Sequence, residues 1–234
     1  METIKLLLIE DDVNLSYIMK SSLENVIGGY EVDTALNGKE GLEHYQSLTP
    51  DVIVSDIEMP VMNGFEMVKA IRQTDMDIPI ILATGKVISK DVTAGFEAGT
   101  DYYIKKPYSP DELDVQIRAL IHLKDTGRVR SKNTIRTVGK YTFDPKNFTL
   151  IYKDSEKTNL SFRESQILEL LLQNKGEIVK REDILKTFWN EKMDHFYASR
   201  SLDVFITKLR KYLSKDSSVS IKNVKQVGLI LEVG

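Results

Sequence analysis

The chain has no cysteine. Disulfides and thiolate metal sites are therefore excluded, and a reducing compartment is the natural expectation. Long apolar runs are equally absent, since none approaches the roughly 20 residues that a membrane span needs. The first apolar run, LLLI at 6–9, is too short for a signal sequence and leads straight into acids, so a cytoplasmic location is expected. No internal repeat and no low-complexity tract interrupts the sequence. What remains is 234 residues, 41% hydrophobic and 29% charged, the composition of a soluble globular protein. That length suits one large domain or two of about 100–150 residues each.

A net charge of −3 conceals a split. Residues 1–123 carry 21 acidic and 10 basic side chains, a net of −11, whereas residues 124–234 carry 14 and 22, a net of +8. Opposite signs point to two domains with different partners, and the basic half is the candidate for nucleic acid.

In the first half, apolar β-branched runs at 4–9, 30–35, 51–55, 78–83 and 102–105 alternate with helical patterns near 14–27, 38–47, 64–73, 89–98 and 110–123. The last helix opens on Ser109, Pro110 and Glu112, a capping box with proline in the first turn. Five strands alternating with five helices predict a parallel sheet covered on both faces. A polar, basic stretch without periodicity then marks a linker at 124–135. Beyond it come strand-like KYTFD and TLIY and a helix at about 162–173, capped by Ser161 and Glu164. Helical patterns follow at about 181–188 and 199–213, and a terminal hairpin closes the chain.

Sites in open parallel sheets lie at the carboxyl ends of strands, beside the reversal of strand order. Those ends are Glu10 and Asp11, then Asp56, Thr84 and Lys106. With the order 2-1-3-4-5, all five face one pocket. Three carboxylates a few ångströms apart repel, each pair by about 4 kcal/mol at 4 Å and an effective dielectric near 20. The site therefore requires a cation, and oxygen-only ligands fit Mg²⁺. Asp12 begins the next loop and is expected to stay solvated. A metal flanked by a free carboxylate, a hydroxyl and an ammonium suits phosphoryl transfer. Asp56 attacks phosphorus, the cation and Lys106 neutralise the oxygens, and Thr84 donates a hydrogen bond. Taken singly, Asp56 as a strand end, Thr84 as a helix cap and Lys106 as a surface charge are ordinary; together they point to chemistry.

Residues 1–123, through LLLIEDD, DVIVSDIEMPVMNG, PIILATGK and DYYIKKPYSPDEL, resemble the receiver domain of two-component response regulators. The resemblance implies a flavodoxin-like doubly wound (βα)5 fold with Asp56 as phosphoacceptor and a histidine kinase as donor. It also implies Mg²⁺ held by Asp11, Asp56 and the Glu58 carbonyl, with Glu10 acting through water. Thr84 and Tyr103 fall on the switch positions, and a cis Lys106–Pro107 bond is implied. Only self-phosphorylation and slow self-dephosphorylation are expected, not an enzyme's turnover. An aspartate phosphatase of the Asp-x-Asp kind is the competing reading, but Glu58 stands at the second position and no substrate cap is apparent.

In the second half, Leu202, Ile206, Leu209 and Leu213 recur at helical spacing as a buried stripe. Arg200, Val204, Thr207, Lys208 and Lys211 are expected on the outward side, where a basic face suits the DNA major groove. Residues 136–234, through LSFRESQILELLL, VKREDILKTFW, SRSLDVFITKLRKYL and VKQVGLILEV, resemble the α+β winged helix-turn-helix domain of the OmpR/PhoB subfamily. By that resemblance the last helix reads promoter DNA. Arg200 and Ser201 would meet phosphates, Val204, Thr207 and Lys208 would meet bases, and Lys225 would sit in the wing. Trp189 falls near the backbone or in the core. The resemblance leaves RNA polymerase as a further candidate partner. The wing reads Lys225-Gln226-Val227-Gly228-Leu229 where Arg-Gly-x-Gly-Tyr is usual, which leaves its turn open.

Receivers of this subfamily pair as homodimers through the fourth helix, fifth strand and fifth helix. Here Val92, Tyr102 and Gln116 stand where charges are typical, while Asp101 and Glu112 remain. A face using more apolar contact and less charge is expected. The alternative function is a phosphorylation-independent DNA-binding regulator whose receiver only dimerises.

Overall fold

The computed structural model describes residues 3–85, 97–130, 135–189 and 195–234. The chain divides into two compact units, Met1–Leu123 and Lys124–Gly234. Among the described residues, no helix is long and apolar enough to cross a membrane.

The first unit is built on five parallel strands: β1 (Ile4–Ile9), β2 (Tyr30–Ala35), β3 (Val52–Asp56), β4 (Ile80–Thr84) and β5 (Tyr102–Lys105). Their order is β2-β1-β3-β4-β5, the flavodoxin-like arrangement expected from the sequence. Leu6 to Ile9, Val52 to Val54 and Ile80 to Ala83 are all at most 1% exposed, which is why these runs are continuously apolar rather than alternating. β4 begins two positions later than predicted. Pro79 has no N–H to give a ladder, and its carbonyl instead accepts from the Ile53 N–H at 3.0 Å.

Helix α1 (Val13–Ser21) is capped by Asp12, whose carboxylate accepts from the Asn14 and Leu15 N–H groups at 2.9 and 3.1 Å. The third acid of the opening run is thus a helix cap, not merely a solvated loop residue. The predicted helix at 14–27 changes pitch at its end: Ser22–Ile27 form a π-helical turn, closed by Gly28 N–H on the Leu23 carbonyl. Gly28 and Gly29, at φ 80° and 82°, then reverse the chain. Helices α2 (Gly38–Leu48) and α3 (Gly64–Arg72) are capped by Asn37 and Asn63, and Asn63 and Glu66 make a reciprocal capping box.

The predicted helix at 89–98 lies almost wholly outside the described residues. Helix α4 (Pro110–Arg130) carries the expected Ser109 cap on the Glu112 N–H at 3.1 Å. It continues past the predicted end at 123. Residues 124–130 have no apolar period to announce a helix, but Lys and Arg are good helix formers and no proline stops the run.

The second unit holds a four-stranded antiparallel sheet, β6 (Arg136–Val138), β7 (Tyr141–Asp144), β8 (Thr149–Tyr152) and β9 (Glu156–Asn159), in that order. β6 and β9 are short and largely polar, so their sequence carries no strand signal. Then follow α5 (Phe162–Gln173), β10 (Ile178–Lys180), α6 (Arg181–Phe188), α7 (His195–Leu213), β11 (Val219–Val224) and β12 (Gly228–Val233). The last two pair as the predicted hairpin, with β10 added on the β12 edge. α5 has the full Ser161–Glu164 capping box. α7 starts one turn before its predicted beginning. Ala198, buried a turn ahead of Leu202, extends the apolar stripe with a methyl group too small to mark it.

Candidate functional site

β1, β3 and the segment after β5 bring three groups together at one rim of the parallel sheet. Lys106 Nζ lies 2.6 Å from Glu10 Oε2 and 2.5 Å from Asp56 Oδ2. Glu10, Asp11 and Asp56 each offer a carboxylate oxygen, and these oxygens lie within 4.8 Å of one another. Glu10 is buried, Asp56 is half-buried and Asp11 is exposed. An oxygen-only, partly exposed cluster of this size fits a hard divalent cation that retains water. Asp56 Oδ1 is anchored by the Ile57 N–H at 2.6 Å and the Glu58 N–H at 3.3 Å. Glu58 itself is exposed.

The close packing of the loop after β3 depends on Gly64, where a Cβ would stand 2.4 Å from the Asp56 carbonyl oxygen. The Lys106–Pro107 peptide is cis, as the family resemblance implied.

Electrostatics reflect the crowding. Burial raises the Glu10 carboxyl above the ordinary carboxylate range, and the Lys106 ammonium only partly offsets this. Burial alone would lower Lys106, yet its hydrogen bonds to Asp56 and Glu10 hold it above the usual lysine value. Tyr108, two residues beyond Lys106, is pushed above its ordinary value by burial and then by the charges of Glu10 and Asp56. Sequence reasoning passed over Tyr108 because an aromatic after Lys-Pro looks like core. Thr84 ends β4 and Tyr103 lies within β5, and both side chains are buried.

The charges expected for receiver pairing are placed differently. Asp101 is fully buried: Arg72 Nη2 reaches it at 2.8 Å, and the Ile80 N–H donates to it at 2.9 Å. It is a fold anchor rather than a surface charge. Tyr102 and Gln116 are also buried, Glu112 is half-buried, and Val92 lies outside the described residues.

On α7, Arg200, Asp203, Thr207 and Lys211 are exposed and recur at spacings of three or four, so they share one face. Two expected DNA contacts do not. Val204 is 8% exposed and Ser201 is fully buried, its hydroxyl donating to the Ala198 carbonyl at 2.8 Å. Both sit on the flank of the apolar stripe, where the helix packs on the rest of the unit. Lys208 is half-buried, with Nζ 3.5 Å from the buried Glu164 Oε1. Trp189 belongs to the core, 6.3 Å from both the Phe188 and Phe205 rings and beneath the Arg163 guanidinium at 5.2 Å.

The wing keeps a turn despite its departure from the usual pattern. Val227 N–H bonds to the Val224 carbonyl at 3.0 Å, and Gln226 takes a left-handed φ of 60° where glycine is customary. Lys225 is exposed at the tip. Between the wing and the start of α6 lies a cleft of about 650 Å³ whose wall includes Lys180, Arg181, Lys225 and Gln226. Asp203 and Arg181, which pair at 2.7 Å, were not singled out from sequence. The spacing of Asp203 from Arg200 was the signal available.

The parallel sheet with its acidic, lysine-bridged rim, and the winged helix with a cationic helix face, define a regulator with separate input and DNA-binding units. Residues 6–118 match the response regulator receiver domain family, and residues 155–231 match the family described as transcriptional regulatory protein, C terminal. The transcriptional regulatory protein RprY of Bacteroides fragilis is 35% identical over 227 residues, covering 97% of this chain and 94% of that protein. The probable transcriptional regulator ycf27 of Guillardia theta is 35% identical over 218 residues, covering 92% and 84%. Among solved structures, the OmpR/PhoB homolog DrrB of Thermotoga maritima matches with a TM-score of 0.50 at 28% identity, covering 99% and 100%. A mutant of RitR matches with a TM-score of 0.77 at 23% identity, covering 99% and 100%, a likeness of fold. The chain belongs to the OmpR/PhoB-type response regulators, transcriptional regulators that join a receiver to a DNA-binding domain.

Proposed function

We propose that this regulator is controlled by phosphorylation of Asp56, with a sensor histidine kinase as donor. The observation that carries the reading is the convergence of Lys106 Nζ on Glu10 and Asp56, at 2.6 and 2.5 Å, with Asp11 completing a cluster of three carboxylates at one rim. Asp56 Oδ1 is pinned by two backbone N–H groups, which leaves Oδ2 to attack. Oδ2 forms a bond to phosphorus as the bond from phosphorus to the donor imidazole nitrogen breaks, and that nitrogen keeps the electron pair. Lys106 moves its ammonium from the carboxylates to the incoming phosphoryl oxygens, and Thr84 donates to one of them. Asp11, Asp56 and the Glu58 carbonyl would hold Mg²⁺, with Glu10 through water. When bound, the ion supplies charge neutralisation that the ammonium alone does not complete.

The acyl phosphate then biases the receiver toward homodimerisation through the predicted helix at 89–98, β5 and α4, and promoter binding changes with it. With Asp101 turned inward, that contact draws on apolar surface more than charge pairs. On DNA, Arg200, Lys211 and Lys225 meet phosphates and Thr207 faces the bases; Lys208 reaches the duplex only by leaving Glu164. RNA polymerase is the downstream partner of this reading.

The test is incubation with acetyl phosphate and Mg²⁺, followed by intact-mass measurement. One phosphoryl adduct on the wild type and none on Asp56→Asn is the expected result. An unmodified wild type, beside a receiver that does react, removes the proposal. Sedimentation of the phosphorylated form then checks pairing, and a strictly monomeric species would refute the dimer.

A further inference from the structure

The exposed face of α7 contains one acid among its cations and hydroxyls. Asp203 lies between Arg200 and Thr207 on the face that the DNA-binding reading presents to the duplex, and its side chain is 56% exposed. A carboxylate turned toward phosphates is unfavourable, so its presence calls for a compensating contact. Its surroundings hold it in one pose. Oδ1 accepts from Arg181 Nη2 at 2.7 Å, and the same nitrogen donates to the Ser199 carbonyl at 2.7 Å and the Ser199 hydroxyl at 3.1 Å. The guanidinium thus bridges the start of α6 to the first half of α7. Oδ2 has no partner among the described residues. The result is a half-neutralised carboxylate on an exposed helix face, with one oxygen fixed by the protein and the other left without a protein partner among the described residues.

We infer that Asp203 is a specificity-determining residue that accepts a hydrogen bond from the exocyclic amine of a cytosine in the major groove, with Arg181 as its positioning residue. An ionised carboxylate can only accept. In the major groove guanine presents two acceptors, thymine an acceptor and a methyl group, and adenine an acceptor beside its amine. Cytosine alone presents an amine with no acceptor of its own next to it, so it is the one base edge that does not repel the second carboxylate oxygen. Arg181 cancels much of the charge that would otherwise face the phosphates, and it fixes the side chain before DNA arrives, so little rotamer freedom is lost on binding. This inference rests on the DNA-binding reading of α7.

The experiment is selection of bound DNA from a random duplex pool by the full-length protein, as wild type, Asp203→Asn and Asp203→Ala. Asp203→Asn keeps the shape and an acceptor for Arg181, so it guards against mere loss of folding. The wild type is expected to enrich a site with a cytosine at one position that Asp203→Ala leaves degenerate, with a drop in discrimination there of roughly tenfold. Asp203→Asn, which can donate and accept, is expected to move that one position toward adenine. All other positions stay as in the wild type. If both variants return the wild-type site at every position, with only a uniform change in affinity, Asp203 is no more than an anchor for Arg181 and the inference is overturned. If the wild type enriches no sequence, the DNA-binding reading of α7 falls together with it.

Discussion

The receiver rim and the α7 face are opposite solutions to the use of charge. At the rim, Lys106 comes within 2.6 Å of both Glu10 and Asp56; burial raises the Glu10 carboxyl, and the hydrogen bonds to the two carboxylates hold Lys106 above its usual value. On α7, the polar side chains stand a helical turn apart, mostly in solvent. Crowded charges act as a unit, so removing one disables the rest; spread charges act nearly independently, so removing one subtracts its own share. The contrast follows from topology. Parallel strand ends focus distant sequence onto one point, whereas a helix lays neighbouring sequence along a line.

The sharpest way to break this comparison is Lys106→Ala. It should slow phosphoryl transfer to Asp56 by about 10²–10³-fold, the scale of losing one preorganised charge partner, measured as the rate of adduct formation with acetyl phosphate. A loss of only a few fold would mean that the rim does not act as a unit. Next in size is Gly228→Ala. A Cβ there would stand 2.1 Å from the Val179 carbonyl oxygen, backbone that cannot step aside. The second unit should lose about 2–3 kcal/mol, read from its denaturant midpoint.

Gln226→Gly should act in the opposite direction by about 1 kcal/mol, since the left-handed φ of 60° strains any residue with a Cβ. Thermal unfolding of the same unit checks the sign. Lys211→Ala should weaken DNA binding several-fold across all sequences and reduce the salt slope by about one, as a single phosphate contact does. Titration at several ionic strengths measures it, and a sequence-dependent effect would contradict the idea of independent charges.

The smallest effect concerns pH. Burial would raise Asp75, but the Asp77 and Ile78 N–H groups and the Tyr45 hydroxyl outweigh it and hold the carboxyl below its usual 3.8. A depressed folded-state value means stability that is present above 3.8 and lost as pH falls through the lower, folded value. Asp75→Asn should therefore flatten the acid limb of receiver unfolding while leaving the alkaline side unchanged.

The rim was legible because parallel-sheet topology makes strand ends predictable, and apolar runs mark those ends to within a residue or two. Asp56 was expected just past its strand and is its last residue. The reading face was legible only in outline. Helical periodicity gives the stripe that packs, but not how wide it is. Val204 and Ser201 fell on its flank, and the small Ala198 hid the first turn. Asp101 looked like a surface charge because sequence offers no sign of Arg72 arriving from α3, across 29 residues of chain. Asp12 looked redundant after two metal-facing acids until the first turn of α1 supplied its donors.

The tight approach of Gly228 to Val179 has a consequence for how such regulators diversify. It clamps the base of the wing to β10, while Lys225, Gln226 and Val227 lie beyond the clamp, tied through the Val227 N–H to the Val224 carbonyl and through the Val227 carbonyl to the Arg181 N–H. The tip behaves as an exchangeable cassette on a fixed mount. Those three residues can be exchanged without disturbing the sheet that carries them.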